Sequence, residues 1–185
     1  MTELGNIDTI AFDEMMVHVP LCTHREPKKA FIAGDTSDNL KRQADKYECE
    51  CEFGDIAALS AKNEKEFDVI ILTAKGLDEM LLANIDRILK DDGVLVFQSS
   101  NFDEERDTLK SDLTVAGSRF WIAMPYTFRG HTALLASKKY HPTADIILQR
   151  SDLLDGINYY STEMHHAAFV SPAYIHKELT GIARR

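Results

Sequence analysis

Four positions that can serve a small-molecule site follow short apolar runs of the chain. They are Gly34, Asp55, Thr73 and Gln98. Short apolar runs bounded by polar or turn residues are typical of strands buried in a parallel sheet. Ligands of a doubly wound sheet bind outside the carboxyl ends of its strands. We therefore expect these four positions to converge on one crevice.

The elements that must position this crevice alternate between short apolar runs and amphipathic stretches. This alternation predicts an α/β fold, a doubly wound and mostly parallel Rossmann-like sheet, in one domain over residues 1–185. Two further strands flank Arg129 and Gly130, which predicts a C-terminal antiparallel hairpin. The predicted strands cover residues 28–33, 48–53, 67–72, 94–98, 119–126 and 131–138.

The first predicted helix starts near Ile10 and carries Asp13 close to its beginning. We expect Pro20 to end this helix, because proline lacks the N–H that a helix interior needs. Asp13 can offer a carboxylate to a cationic substrate. The alternative is a favourable interaction between an acidic residue and the helix dipole.

Composition limits the classes of partner. The net charge is −9, with 30 acidic and 21 basic residues, which argues against a nucleic-acid surface. An acidic balance suits a cationic ligand, although solubility also explains it. No apolar run reaches the roughly 20 residues of a membrane span, and the first residues do not resemble a signal peptide. We expect a cytoplasmic protein with reduced cysteines.

Metal and nucleotide motifs are not found. His165 and His166 have no further ligand at helical spacing beyond Glu163, and Cys49 and Cys51 have no second Cys/His pair, so we expect no metal. No Walker, Rossmann dinucleotide or Gly-x-Ser-x-Gly motif occurs.

Two segments carry a recognisable family pattern. The stretch from Glu14 to His24 reads EMMVHVPLCTH, and the tail carries INYY from Ile157 and HHAAFVSP from His165. Together they resemble the spermidine synthase family of polyamine aminopropyltransferases. The FDVII run from Phe67, the KDDGV run from Lys90 and the LLASKK run from Leu134 add weaker matches.

The resemblance implies a methyltransferase-like sheet of seven strands preceded by a small β-domain. It also implies aminopropyl transfer from decarboxylated S-adenosylmethionine to putrescine. Asp55 matches an acid that contacts adenine, Gln98 a glutamine at a strand end, and Tyr159 a tyrosine that contacts the diamine. Each has a structural alternative: a helix cap for Asp55, a water-exposed strand end for Gln98, and a partly buried position for Tyr159. No tightly bound cofactor is expected.

The sequence departs from the family pattern where the chemistry should lie. The glycine-rich turn that binds the nucleoside is reduced to Gly34 and Asp35, followed by Thr36 and Ser37, which we expect to cap the next helix. One strand–helix unit and the N-terminal β-domain are expected to be missing. The family's general base falls on Thr73, and Lys75 places a positive charge nearby.

Three hypotheses follow. In the first, a divergent aminopropyltransferase still turns over decarboxylated S-adenosylmethionine and putrescine. In the second, a homologue has lost catalysis and acts as a polyamine-binding, nucleoside-binding or partner subunit, with methylthioadenosine as a candidate ligand. The third is a methyltransferase-like enzyme with another substrate. We favour the second, and we expect self-association, because the strand at 48–53 lies at a sheet edge.

Overall fold

A computed structural model describes residues 5–185. Six strands form one sheet: β1 (Lys29–Ala33), β2 (Glu50–Gly54), β3 (Phe67–Lys75), β4 (Leu89–Ser99), β5 (Ile122–Phe128) and β6 (His131–Ser137). Their order is β2-β1-β3-β4-β6-β5; the first four are parallel, and β6 is antiparallel to both β4 and β5. The predicted mostly parallel sheet with a terminal hairpin is confirmed. The described residues form one strand fewer than the resemblance implies.

Helices cover both faces of the sheet. One face packs against α1 (Ile7–Thr23) and α2 (Asp38–Ala44), and the other against a 3₁₀ helix (Ile56–Ala61), α3 (Glu79–Ile88) and α4 (Arg106–Gly117). Three short helices follow the hairpin: α5 (Leu148–Asp152), α6 (Thr162–Ala168) and α7 (Ala173–Leu179). None of the helices in residues 5–185 combines the length and apolar character that a bilayer crossing requires.

The central strands are apolar on both sides because both faces are covered. On β3, Val69 and Ile71 belong to the core beneath α1, whereas Ile70 and Leu72 belong to the core beneath α3 and α4. All four side chains are at most 1% exposed. This burial explains why the sequence shows a continuous apolar run rather than a strict alternation.

The prediction that Pro20 ends the first helix is wrong. Helix α1 continues through Pro20 to Thr23, and Leu21 and Cys22 are fully buried. The Arg150 guanidinium donates to the carbonyl oxygens of Leu21 and His24 at 2.6 and 2.7 Å. Burial and these bonds to the last turn offset the single hydrogen bond that proline removes.

The turn between β5 and β6 explains the hairpin. Arg129 and Gly130 both have positive φ, 46° and 76°, as a two-residue turn that matches the strand twist requires.

At the other side of the sheet, β2 is an edge strand, as predicted.

Candidate functional site

The centre of the predicted crevice is occupied by a contact between Thr73 and Gly34. Thr73 is buried, and its hydroxyl donates to the Ala33 carbonyl oxygen at 3.3 Å. A Cβ placed on Gly34 would lie 2.4 Å from Thr73 Oγ1. Gly34 also has a φ of +109°, which favours glycine. The glycine therefore admits the threonine side chain of the neighbouring strand at this point.

The remaining strand-end residues lie along the same edge. Gly54 accepts the Gly34 N–H at 2.9 Å, which places Asp55 beside the turn. Asp55 is exposed and accepts the Ala58 N–H at 3.0 Å, so it caps the 3₁₀ helix. Gln98 is half-buried and pairs with Lys75 across the sheet, and Asp35 is exposed. The binding roles of Gly34, Asp35, Asp55 and Gln98 stay predictions.

Asp13 binds the loop that replaces the glycine-rich turn. Its carboxylate is 3% exposed and accepts hydrogen bonds from Ser37 Oγ at 2.7 Å and Asn39 Nδ2 at 3.0 Å. Ser37 Oγ in turn accepts the Leu40 N–H at 2.9 Å, so Ser37 caps α2 as expected. One Asp13 oxygen is therefore committed to this loop, and its role toward a substrate stays a prediction.

Glu14 is the buried acid whose partners the sequence did not reveal. It is fully buried, and its carboxylate accepts the backbone N–H groups of Asn158, Tyr159 and Tyr160 at 2.7–3.2 Å. The two motifs that carry the family pattern are thus joined directly. The sequence held one indication of this arrangement. An apolar run directly follows Glu14, and a carboxylate that is buried needs hydrogen-bond donors.

Two histidines of these motifs are held as neutral rings. Tyr160 donates to His165 Nδ1 at 2.9 Å, and His165 Nε2 donates to the Pro142 carbonyl at 2.9 Å. His18 lies between Tyr47 and Gln43, at 2.6 and 3.0 Å. Burial lowers the pKa of His18 to about 3 and the pKa of His165 to about 4. Neither ring is placed to accept a proton from a ligand.

A further acid, Asp112 of α4, lies behind the carboxyl end of β4. Ser99 Oγ donates to it at 2.6 Å. Burial raises the pKa of the Asp112 carboxyl, while Ser99 and the charge of Lys75 oppose that rise. The sequence did not single out Asp112, because it appears there as one more acid in a charged helix.

A cavity of about 390 Å³ opens at the same edge, on the side of the hairpin. Thr132, at its wall, is 2% exposed, and its hydroxyl has no hydrogen-bond partner within residues 5–185. Of the predicted site residues, Tyr159 is the one that contributes to the lining. The other polar residues of the wall are Asn101, Asp103, Thr127, Arg129, His131, Ser171 and Tyr174.

Comparison with known proteins agrees with this arrangement. No protein-family model matches the chain. A polyamine aminopropyltransferase from Helicobacter acinonychis is 26% identical over 190 residues, covering 86% of this chain and 72% of the relative. A polyamine aminopropyltransferase from Streptococcus pneumoniae is 27% identical over 224 residues, covering 92% and 78%. The resemblance to the spermidine synthase family is confirmed.

The fold comparison is independent of those identities. The crystal structure of spermidine synthase from Thermotoga maritima superposes with a TM-score of 0.80 at 23% identity, covering 92% of this chain and 74% of that one. The fold of this chain is therefore similar to that of spermidine synthase.

Proposed function

We propose that this spermidine synthase-like protein has lost or greatly weakened aminopropyl transfer and acts as a binding or partner subunit. The observation that supports this proposal most is the Thr73 side chain, which lies against Gly34 and donates to the Ala33 carbonyl. It stands where the resemblance places a catalytic carboxylate.

The chemistry explains why this substitution matters. An alkyl ammonium has a pKa near that of lysine, roughly 10.4, so at neutral pH the amine nucleophile is almost entirely protonated. Transfer requires a group that holds the cation and accepts its proton. A general base typically contributes about 10²–10⁴-fold to the rate. The Thr73 hydroxyl is a poor base, and the exposed ammonium of Lys75 repels a diammonium substrate.

Three further acids near this edge are engaged with the protein, whereas Asp35 is exposed. Asp13 accepts bonds from Ser37 and Asn39. Asp55 caps a helix. Asp112 accepts from Ser99 and is the acid whose raised pKa is best suited to a base. Asp112 therefore supports the second candidate, a divergent enzyme that retains transfer.

The proposed ligand of the binding role is a polyamine or a nucleoside such as methylthioadenosine. The net charge of −9 favours cations. Asp103 and Tyr159 line the cavity, as does Thr132, whose buried hydroxyl has no hydrogen-bond partner within residues 5–185. We propose self-association as well, supported by the edge position of β2 and the exposed Phe53 on that strand. The three free cysteines fit the proposed cytoplasmic location.

Turnover decides between the two candidates. The protein is incubated with decarboxylated S-adenosylmethionine and putrescine, and spermidine and methylthioadenosine are quantified beside an active relative. We expect a rate at least about 10²-fold below that relative. A comparable rate that Asp112→Asn abolishes would establish the second candidate. A thermal shift with methylthioadenosine or spermidine measures the binding role separately.

A further inference from the structure

A cluster of titratable side chains lies at the sheet edge opposite the crevice. His24 directly follows α1, Asp68 is near the start of β3, and Asp92 lies in β4. His24 Nε2 is 3.5 Å from Asp92 Oδ1 and 3.9 Å from Asp68 Oδ1. At about 3.3 Å per strand residue, the rise along β3 from Asp68 to Thr73 is roughly 16 Å. The cluster is therefore separate from the site described above.

Each carboxylate turns one oxygen toward His24 and anchors the other. Asp68 Oδ2 accepts the backbone N–H groups of Lys28 and Lys29, both at 2.9 Å. Asp92 Oδ2 accepts the Tyr140 hydroxyl at 2.9 Å. The two Oδ1 atoms are the ones that face the imidazole. Contacts of this kind orient the ligands of metal ions in proteins.

The imidazole supplies the second, independent observation. His24 is 2% exposed, and its buried Nε2 has no hydrogen-bond partner within the described chain. The ring is held in place: it packs edge-on against Tyr140 at 5.0 Å, and Arg150 donates to the His24 carbonyl at 2.7 Å. A buried polar atom without a partner costs about 1–3 kcal/mol. A ligand between the three side chains would remove that cost.

We propose that His24, Asp68 and Asp92 bind one divalent transition-metal ion of the Zn²⁺ type. The three donor atoms lie within 4.8 Å of one another. Zn²⁺ binds imidazole nitrogen and carboxylate oxygen at about 2.0–2.2 Å, so an ion between these atoms needs only small side-chain movements. The Asp92 side chain is 34% exposed, which gives the ion access and leaves room for water ligands. The site would join the end of α1 to β3 and β4.

Two existing contacts must change. Lys90 Nζ lies 2.9 Å from both Asp68 oxygens and competes with the ion. Its side chain is 36% exposed and can move into solvent. The Glu26 N–H donates to His24 Nδ1 at 3.2 Å. Coordination through Nε2 moves the ring proton to Nδ1, so the exposed backbone at Glu26 must shift.

Zn²⁺ titration of the chelator-treated full chain by calorimetry tests the proposal. We expect one Zn²⁺ per chain, with affinity reduced about tenfold or more in Asp92→Asn. Asp91→Asn is the matched control, because Asp91 is exposed and pairs with Lys65 instead; it should leave the affinity unchanged.

A substitution of Lys90 is expected to change the Zn²⁺ affinity in the opposite direction. Lys90→Met removes the competing ammonium and should strengthen Zn²⁺ binding several-fold, whereas Lys65→Met should not change it. The proposal is overturned if Zn²⁺ does not bind, if Asp92→Asn keeps the wild-type affinity, or if Lys90→Met leaves the affinity unchanged or lower.

Discussion

Glu14, in the first helix, accepts the backbone N–H of Tyr160, in the tail, at 2.8 Å. The same carboxylate accepts the N–H groups of Asn158 and Tyr159. A segment without regular structure is thereby attached to the most buried helix of the protein. Glu14 and the tail are both parts of the family pattern, and the contact gives a structural reason for both.

We expect Glu14→Gln to lower the free energy of unfolding by about 2–4 kcal/mol, because hydrogen bonds to a charged group contribute about 1.5–3 kcal/mol and an amide accepts fewer donors. Urea unfolding monitored by circular dichroism measures the change. Glu104→Gln, at an exposed loop position, serves as the control and should stay within about 0.5 kcal/mol of wild type. A Glu14→Gln protein as stable as this control would contradict the role of the contact.

Acid should destabilise the protein through His18 and His165. Their pKa values are about 3 and about 4 in the folded chain, where burial is the first cause of the lowering, against about 6.5 when unfolded. Between those pH values the unfolded chain binds more protons than the folded chain. The contribution of the two histidines to the free energy of unfolding is therefore fully present above about pH 6.5 and is lost as the pH falls toward 4.

The expected slope is up to about 1.4 kcal/mol per pH unit for each histidine. Urea midpoints from pH 7 to pH 4.5 measure it. His165→Gln should make the dependence shallower, because one of the two groups no longer titrates. An unchanged midpoint across this range in wild type would show that the rings are not buried as described.

A substitution of Asp13 distinguishes a structural role of its carboxylate from a role in substrate binding. It binds Ser37 and Asn39, so we expect Asp13→Asn to destabilise the protein by about 1–2 kcal/mol and to leave spermidine binding unchanged. Thermal unfolding with and without spermidine gives both quantities. A variant with normal stability and lost spermidine binding would assign Asp13 to the ligand.

Thr132 tests whether the cavity binds a ligand. Its buried hydroxyl has no partner in the described residues, so Thr132→Val should stabilise the free protein by up to about 1 kcal/mol. The same change should weaken any ligand that occupies the cavity. Thr108→Val, at an exposed position of α4 outside the lining of the cavity, is the control. Stabilisation without any effect on spermidine or methylthioadenosine binding would place those ligands elsewhere.

The sheet was predictable because its central strands are apolar on both faces, and the caps at Ser37 and Asp55 followed from residue type. The end of α1 was not predictable from Pro20, because the compensating guanidinium of Arg150 is distant in sequence. The partners of Glu14 were hidden for the same reason. The cluster at His24 was missed because β3 and β4 bring its acids together, and no spacing along the chain reveals it.

The most direct measurement of the central claim is aminopropyl transfer by Thr73→Asp beside Thr73→Asn. Both replacements have nearly the same shape, and only aspartate restores a carboxylate at the family's base position. The account predicts little or no spermidine from wild type and from Thr73→Asn, and a rate raised by about 10²-fold or more in Thr73→Asp. Rapid turnover by the wild-type protein, at the rate of an active relative, would contradict it.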